Sequence, residues 1–511
     1  MNSSTVTSGA ILGVDAYRVG VEVDLANGVP FFVTVGLPEG AVKESKVRVE
    51  SALKATGGLY PLKRITVNLA PADQRKDGSA LDLPIALGIL AAQGTLPREA
   101  LQRVLVAGEL SLTGEVRPIR GALPLAVLAR ELGMLDVLLP PANCLEAAVV
   151  DGVRVRAVHT LGEALEFLRG EKNLPVMPRT LPAPQHTDGL MDIADVRGQG
   201  QAKRALEVAA AGGHNLMLVG PPGSGKTMLA QRLPALLPSM SFEEALSATK
   251  VYSVMGLVPG GQGLLSQRPF RAPHSTASDV ALCGGGSPPR PGEVSLAHHG
   301  VLFLDELPHF KRSALEAMRQ PLEEGQVTVS RASMSITYPA RCVLVAAMNP
   351  CPCGHLGDFK RTCTCRPLDI VTYRGRISGP LLDRIDLHVE VPSVRSDDLE
   401  RPSLEGNAQV RMRVEQGRAM QRARFAGHPN VHCNAQMTAR LVRQCCEVDA
   451  PGRAILRMVV DKLGMSARTH DRILKVARTL ADLEGSPTIR GGHVSEAASF
   501  RILDRPSHAA A

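Results

Sequence analysis

The spacing of hydrophobic residues divides the 511-residue chain into three parts. In residues 1–170, short apolar segments alternate with segments of helical periodicity, which is typical of an α/β domain. Residues 191–400 show a second alternation of this kind. From about residue 402 onward, apolar residues recur at helical spacing and predict a helical domain of about a hundred residues.

The predicted elements fall between clear breaks in this pattern. In the first part we predict strands at 19–25, 31–35, 65–69, 105–108 and 137–139, and helices at 39–54, 83–93 and 123–132. In the last part, 401–511, we predict helices at 409–425, 435–446, 451–462, 467–483 and 495–503. Four prolines within 171–190 predict a linker. A chain of this length is expected to form about three domains.

One stretch of the middle part carries a specific chemical signature. A buried strand at 216–219 leads into a Gly- and Pro-rich loop and then a helix beginning at Lys226. The loop fits G-x-x-x-x-G-K-[ST], in which backbone N–H groups, a lysine and a hydroxyl surround the phosphates and Mg²⁺ of ATP. A glycine turn with a chance lysine does not explain the strand and helix on either side. The predicted nucleotide-binding residues are Gly220, Pro221, Pro222, Gly223, Ser224, Gly225, Lys226 and Thr227.

A second motif, which is acidic, follows some eighty residues after this loop. The apolar run 301–304 predicts a strand buried on both faces, and it ends in Asp305 and Glu306. In P-loop ATPases the first such acid helps to hold Mg²⁺. We therefore assign Asp305 to the metal and Glu306 to the polarisation of the attacking water. The alternative is a solvated acidic pair at a strand end.

Composition adds constraints on compartment and partners. No uncharged apolar run approaches the roughly 20 residues of a membrane span, and we expect neither a span nor a signal peptide. The net charge of +8 is uneven, because residues 1–170 hold 17 Lys and Arg against 18 Asp and Glu. The basic excess therefore accompanies the ATPase part, which favours a polyanionic partner. The ten cysteines are scattered or clustered at metal-ligand spacing, which is typical of a protein in the reducing cytoplasm.

Four cysteines form a compact cluster in the segment 351–365. Cys351, Cys353, Cys363 and Cys365 give the pattern C-x-C-x9-C-x-C in a Gly- and Pro-rich stretch. Four thiolates at this spacing predict a structural Zn²⁺ site, which would fold an insert too small to have a core. Free thiols or a disulfide remain the alternative. The other six cysteines lack partners at ligand spacing and are expected to be inert.

Several segments together resemble a known family. Besides 220–227 and the Asp305–Glu306 pair, the segments 268–274, 291–300 and 378–386 are similar to the magnesium-chelatase-like branch of AAA+ ATPases. With the first domain and the Cys cluster, the chain resembles the ComM family, also known as YifB. Members of that family are DNA branch-migration helicases linked to competence, the uptake of DNA in natural transformation.

This resemblance implies a fold and a set of roles. The fold would be an AAA+ P-loop core with a zinc insert and a C-terminal helical lid, assembled as a hexamer with each ATP between two subunits. Asn349, after the apolar run 343–348, would be the sensor that orients the attacking water. Arg384 would be the arginine finger and Arg468 the sensor arginine of the lid. For each arginine, a surface salt bridge is the alternative.

A hairpin is predicted over 326–340, just before the Asn349 strand. In related helicases a basic residue at the tip of such a hairpin touches the DNA backbone. Arg331 is the corresponding residue here, and an ordinary solvated turn is the alternative.

Residues 66–133 resemble the proteolytic domain of Lon, of the S5 domain 2-like fold. The segment 75–80 is similar to its serine loop, but Ser79 is offset by one position from the expected serine. A Ser–Lys dyad also needs a lysine after the turn at 113–121, where this chain has apolar residues. We therefore expect an α/β domain without peptidase activity.

The sequence favours an ATP-driven DNA motor that migrates branches in the cytoplasm. Its expected partners are single-stranded and branched DNA, further copies of the chain and recombination proteins, and its expected cofactors are ATP, Mg²⁺ and Zn²⁺. Two other functions remain open: a magnesium-chelatase motor subunit, and a Lon-like protein-remodelling ATPase. The zinc cluster and the first domain disfavour the former, and the missing lysine disfavours the latter.

Overall fold

The computed structural model describes residues 3–57, 60–179, 191–331, 334–394, 398, 405–428, 431–463, 467–501 and 503. These residues form two compact units. Unit 1 consists of Met1–Ala183 together with Phe242–Ser266, and unit 2 consists of Pro184–Ser241 and Gln267–Ala511. Within the described ranges, no helix is both long and apolar enough to cross a membrane.

Unit 1 is an α/β unit. Its strands are β1 (Ser3–Leu12), β2 (Asp15–Ala26), β3 (Phe31–Val35), β4 (Arg64–Ala70), β5 (Val104–Val106), β6 (Glu109–Leu110), β7 (Val116–Arg117), β8 (Asp136–Leu139) and β9 (Arg154–Ala157). Its helices are α1 (Ala41–Ala55), α2 (Asp82–Gln93), α3 (Ala122–Glu131), α4 (Cys144–Ala147), α5 (Leu161–Leu168) and, from later in the chain, α8 (Phe242–Met255). Strands β2, β3, β4, β5 and β8 confirm the predicted strands to within a few residues.

The main sheet of unit 1 has the order β3-β4-β2-β1-β5-β8-β9. Its central strand β1 was not predicted, because its sequence is rich in serine and threonine. The buried hydroxyls are satisfied inside the unit: Ser4 donates to the Gly88 carbonyl at 2.6 Å and Ser8 to the Val106 carbonyl at 2.7 Å. Hydrogen-bonded hydroxyls can be buried at little cost, so a polar segment occupies the core.

Helix α8 belongs to unit 1, although its residues lie within the segment 191–400 that is predicted to form the ATPase core. It packs on α3, whose first N–H groups would otherwise lack partners. The Ser253 carbonyl accepts from Gly121 N–H at 2.9 Å, and the Ser253 hydroxyl accepts from Leu123 N–H at 3.3 Å. Lys250 adds an ion pair to Asp15 at 2.7 Å. The segment is thus an insertion that completes the first unit.

The first half of the predicted linker also packs on unit 1. Leu174 is buried, and its carbonyl accepts from Arg156. Met177 N–H donates to the Val155 carbonyl at 2.8 Å, so residues 171–179 extend the folded unit. The rest of the predicted linker, 180–190, lies outside the described residues.

Unit 2 contains a five-stranded sheet with helices around it. The strands of the whole unit, of which five form this sheet, are β10 (Leu216–Val219), β11 (Phe270–Arg271), β12 (Gly284–Gly285), β13 (Arg290–Pro291), β14 (Val301–Leu304), β15 (Gln326–Arg331), β16 (Met334–Pro339), β17 (Val343–Met348) and β18 (Leu387–Glu390). The helices of its core are α6 (Gly200–Gly212), α7 (Lys226–Leu236), α9 (Asp279–Cys283), α10 (Glu293–Leu296), α11 (Arg312–Ala317), α12 (Arg319–Glu324), α13 (Pro367–Arg374) and α14 (Gly379–Leu382).

The sheet of unit 2 is parallel throughout, in the order β11-β14-β17-β10-β18. Strands β10, β14 and β17 are fully buried and read as continuous apolar runs, as expected for strands covered on both faces. The strand and helix predicted around the P-loop are confirmed by β10 and α7. Strands β15 and β16 pair antiparallel and confirm the predicted hairpin.

The C-terminal helices confirm the predicted helical region. They are α15 (Asn407–Arg424), α16 (Ala439–Cys445), α17 (Ala450–Leu463), α18 (Ala467–Leu483) and α19 (Gly491–Ser499). A polar cluster joins α18 to the sheet. His214 contacts the Asp386 carboxylate at 2.9 Å and the Thr479 hydroxyl at 2.8 Å, while Arg472 reaches Asp386 at 2.9 Å.

The residues of this cluster are shielded from water, so the pKa of one member depends strongly on its neighbours. His214 and Thr479 are completely buried and Asp386 is 7% exposed. Burial by itself raises the pKa of Asp386, but His214 and Arg472 outweigh that effect and hold its pKa well below its usual range. An ionised Asp386 is therefore part of the contact between the lid helices and the core.

We predict that Asp386→Asn lowers the free energy of unfolding by on the order of 3 kcal/mol, because it leaves the guanidinium of Arg472 without its carboxylate partner in a buried cluster. A depressed folded-state pKa gives stability that is present above about pH 4 and lost at lower pH. The variant should therefore show a shallower acid dependence in denaturant unfolding. Asp471→Asn, at a partly exposed aspartate beside Arg472 in α18, should change either quantity little, and an equal loss in both variants would contradict the prediction.

Candidate functional site

Three loops meet at the carboxyl edge of the sheet in unit 2. Strands β14, β17 and β10 lie side by side, and each ends at this edge. The P-loop follows β10, Asp305 and Glu306 follow β14, and Asn349 follows β17. Because parallel strands end at the same edge, segments separated by up to 130 residues converge there.

The backbone conformation of the P-loop depends on its glycines. Gly223 and Gly225 have φ angles of 75° and 92°, in the left-handed region that favours glycine. At Gly220 there is no room for a side chain, because a Cβ atom would lie 2.1 Å from the Val391 carbonyl oxygen. Helix α7 begins directly afterwards at Lys226 and directs its N-terminus toward the loop. This loop is shaped to hold phosphate groups.

Lys226 lies at the centre of the converging segments. Its Nζ donates to the carbonyls of Gly220 at 2.7 Å and Pro221 at 2.9 Å, and Asn349 Oδ1 is 3.3 Å away. Burial lowers the pKa of Lys226, and the carboxylates of Asp305 and Glu306 oppose that effect. The structure therefore brings the predicted phosphate-binding lysine to the predicted sensor amide.

Thr227 and Asp305 are in direct contact. The Thr227 hydroxyl donates to Asp305 Oδ2 at 2.9 Å. A hydroxyl and a carboxylate at this distance are the hard oxygen ligands that Mg²⁺ prefers, and both side chains reach solvent. The two residues fit a magnesium ion bound with a nucleotide.

Glu306 has an unusual backbone, with φ 50° and ψ 47°. This left-handed conformation is uncommon for a non-glycine residue and costs of order 1 kcal/mol. The Glu306 N–H donates to Asp305 Oδ1 at 2.9 Å, and the carboxylate lies 3.4 Å from His309 Nδ1. His309 in turn meets the ring of Tyr373 edge-on. His309 is not among the residues predicted from the sequence, although its position three residues after Glu306 could have indicated it.

Arg384 lies beyond α14 and is mostly covered. Its Nη1 donates to the Pro380 carbonyl at 2.7 Å, and its Nη2 donates to the Glu323 carboxylate. The salt bridge considered as the alternative for Arg384 is therefore present within one chain, and a role toward a second chain is a proposal.

Arg331 and Arg468 are both exposed. Arg331 ends β15, and the next two residues, Ala332 and Ser333, lie outside the described residues. Neither arginine has an ion-pair partner among the residues that the structure describes. Among the described residues, neither arginine is hydrogen-bonded to the P-loop, so their predicted roles require contact with nucleotide, DNA or a second subunit.

The four cysteines of the insert do converge. Their sulfur atoms all lie within 4.8 Å of one another, with Cys351 to Cys353 at 3.4 Å and Cys351 to Cys363 at 3.7 Å. Four thiolates around zinc at about 2.3 Å would be about 3.8 Å apart. N–H groups of His355 and Thr364 lower the pKa of Cys353 to about 5. The donor set therefore fits a tetrahedral zinc ion.

The insert also touches the nucleotide site. Gly354, in the turn after Cys353, has φ 85°, and a Cβ atom there would lie 2.7 Å from Pro222 Cδ and 3.9 Å from Asn349 Cγ. On its other side, Ser393 donates to Asp358 at 3.0 Å. The insert is thus packed between the P-loop and the segment after β18.

In unit 1, the residues considered for a peptidase do not form a Ser–Lys pair. The Ser79 hydroxyl donates to Glu109. Lys76 is buried, and its Nζ donates to the carbonyls of Pro71 and Gln74. The positions where a Lon-like lysine is expected, 122–125, form the apolar start of α3.

Three family models match the chain. The family described as "Magnesium chelatase, subunit ChlI" matches residues 192–399. "Subunit ChlI of Mg-chelatase" matches residues 21–143, and the C-terminal ChlI family matches residues 404–501.

Full-length relatives are also similar. Competence protein ComM of Haemophilus influenzae is 44% identical over 99% of this chain and 98% of its own length. The YifB protein of Escherichia coli is 43% identical over 99% and 98%. The magnesium-chelatase 38 kDa subunit of Rhodobacter capsulatus is 25% identical over 66% of this chain and 89% of its own length.

The parallel sheet, the P-loop and the acidic strand end define unit 2 as a magnesium-chelatase-like AAA+ domain, whose family implies ATP hydrolysis with Mg²⁺. Within that class, the chain belongs to the ComM/YifB family.

We predict that Lys226→Ala and Glu306→Gln both reduce ATP hydrolysis at least a hundredfold, for different reasons. Loss of the ammonium should weaken nucleotide binding, whereas loss of the carboxylate should leave binding intact and slow only the chemical step. Fluorescent-nucleotide binding and phosphate release measure the two effects. The exposed Lys311→Ala serves as the matched control. Wild-type turnover by Glu306→Gln would show that another group polarises the water.

Proposed function

We propose that the protein is a hexameric DNA motor that couples ATP hydrolysis to branch migration during recombination of incoming DNA. The observation that carries this proposal is the convergence of Lys226, Asp305 and Asn349 at one sheet edge. A motor also needs a part that contacts DNA, and the β15–β16 hairpin leads directly into the strand that ends at Asn349.

Each residue of the site has a part in hydrolysis that its position supports. The P-loop N–H groups and Lys226 bind the phosphates, and Glu306 accepts a proton from the attacking water. Asn349 orients that water with its amide. Thr227 and Asp305 would hold Mg²⁺, which neutralises charge on the phosphates when it is bound.

Arg384 and Arg468 complete the proposed site. Arg384 would act on the ATP of a neighbouring subunit, where a guanidinium offsets the charge that develops on the γ-phosphate. Arg468, exposed at the start of α18, would be the lid arginine that contacts nucleotide. A finger supplied in this way explains why a ring is needed for turnover, and a ring of six would enclose DNA.

Three observations support DNA as the substrate. The basic excess of the chain lies in residues 171–511, and Arg331 is an exposed cation on the hairpin. Neutralisation of phosphates by such side chains is the main source of non-specific affinity for nucleic acid. A relative 44% identical over nearly the whole chain is named a competence protein. We therefore place the activity in natural transformation, in the cytoplasm, on single-stranded and branched DNA and beside recombination proteins.

We further propose that the Cys351, Cys353, Cys363 and Cys365 cluster binds a structural Zn²⁺. All four ligands come from the protein, so the metal would stabilise the insert rather than activate water. The contact between Gly354 and Pro222 means that a folded insert also supports the P-loop. For unit 1 we propose a Lon-like fold without peptidase activity, since Ser79 lacks a lysine base.

A magnesium-chelatase motor subunit is the second candidate. The family matches and the relatives at 25% identity support it. The Cys cluster of this chain favours the DNA motor over the chelatase subunit. A Lon-like remodelling ATPase has less support, because unit 1 offers no Ser–Lys pair among its described residues.

The proposed function is tested with a four-way DNA junction and ATP. Wild-type protein should produce strand-exchange products, whereas Arg331→Ala should lose migration while keeping basal hydrolysis. If Arg331 contacts a phosphate, binding by the variant should also depend less steeply on salt, by about one unit of the logarithmic slope. Arg64→Ala, at an exposed arginine of unit 1, is the control. No migration by a ring that hydrolyses ATP well would favour the chelatase alternative.

The zinc proposal predicts about one zinc ion per chain by elemental analysis, because one four-thiolate set is present. Cys363→Ser should lose the metal and lower the temperature of unfolding, since the insert has little core of its own. Cys445→Ser, outside the cluster, should retain it. Metal-free wild-type protein of normal stability with four titratable thiols in the insert would refute the site.

A further inference from the structure

Arg384 is held within its own chain by an acidic side chain that has no part in the proposed hydrolysis. Its Nη2 donates to the carboxylate of Glu323, and its Nη1 donates to the Pro380 carbonyl at 2.7 Å. Only 12% of the Arg384 side chain is exposed, compared with 63% of Glu323. The guanidinium thus lies along the protein surface, with its charge offset by an exposed carboxylate.

The backbone of Arg384 is fixed independently of this contact. Its carbonyl accepts from Asn215 Nδ2 at 2.9 Å, and Asn215 Oδ1 accepts from Leu344 N–H at 2.9 Å. Asn215 immediately precedes β10, so the Arg384 backbone is attached to the central sheet. The direction of the side chain is therefore what Glu323 and Pro380 control.

Glu323 lies close to the base of the hairpin. It is in the last turn of α12, and only Glu324 and Gly325 separate it from the start of β15. Gly325 N–H donates to the Pro321 carbonyl at 2.9 Å, and the Gly325 carbonyl accepts from Ala340 N–H at 2.8 Å. These bonds join the end of α12 to both strands of the hairpin. The hairpin base is therefore hydrogen-bonded to the end of the helix that carries Glu323.

We propose that Glu323 is a positioning residue that retains Arg384 on its own subunit until DNA engages the β15–β16 hairpin. A guanidinium nitrogen that donates to this carboxylate is not free to donate to a phosphate of the adjacent subunit's ATP. Movement of the hairpin base separates Glu323 from Arg384 and releases the finger. This inference rests on the proposed function, because it takes Arg384 as the finger and the hairpin as the DNA contact.

The test compares steady-state ATP hydrolysis by the full-length protein with and without a saturating four-way junction. Glu323→Ala should raise the DNA-free rate roughly two- to fivefold, the range that an ion pair with one exposed partner can supply. The rate with DNA should stay the same, so the stimulation ratio falls by the same factor. Because Glu323 is largely exposed, the variant should fold normally, and Glu323→Gln should give an intermediate ratio.

Glu324→Ala is the matched control, since Glu324 accepts from Gln320 at 3.0 Å within the same helix and does not contact Arg384. It should leave the ratio unchanged. A DNA-free rate that does not rise in Glu323→Ala, or an equal fall of both rates, overturns the inference. Purely structural damage would lower both rates and would not change their ratio.

A second experiment separates this inference from the proposed function. Arg384→Ala alone should bind ATP without hydrolysing it, and mixing it with Lys226→Ala subunits should restore part of the activity. Wild-type hydrolysis by Arg384→Ala would overturn the finger itself and with it the role of Glu323. Restored activity in the mixture, together with no effect of Glu323→Ala, would overturn only the retention of Arg384 by Glu323.

Discussion

The parallel pairing of β10, β14 and β17 is the constraint on which the site depends. Each strand delivers one functional group to the same edge: the P-loop, the Asp305–Glu306 pair and Asn349. The pairing aligns Leu304 with Ala346 and Val219 with Met348, so the last residues of the strands are close in space. A slip in this register would separate Thr227 from Asp305 even if every strand were still formed.

Groups outside the sheet are tied to the same strands by specific contacts rather than by sequence proximity. Asn215 joins the Arg384 backbone to β10, and Gly354 brings the cysteine insert against the P-loop. The buried His214–Asp386–Thr479 cluster attaches the lid helices to the strand that leads into the loop. The cysteine insert thus lies at the carboxyl ends of the strands beside the P-loop, whereas Arg384 and the lid helices are attached at their amino ends.

Unit 1 shows where local pattern and tertiary structure diverge. Its strand β1 is central although its sequence is polar, because buried serine hydroxyls donate to carbonyls of α2 and β5. Helix α8 comes from within the ATPase part of the sequence, yet its Ser253 caps the start of α3. Hydrophobic periodicity does not indicate the central position of β1 or the packing of α8 on α3, because both depend on hydrogen bonds between residues far apart in the chain.

The sequence alone determined those features that depend on local chemistry. The glycines of 220–225, the apolar strand before Asp305 and the four-cysteine spacing specify their own geometry within a few residues, and the structure has each as expected. The tertiary structure decided the contacts between distant groups: Lys226 with Asn349, His309 with Glu306, and Arg384 with Glu323. No local rule predicts such pairs, because the packing of the whole unit sets the distance between two side chains on different elements.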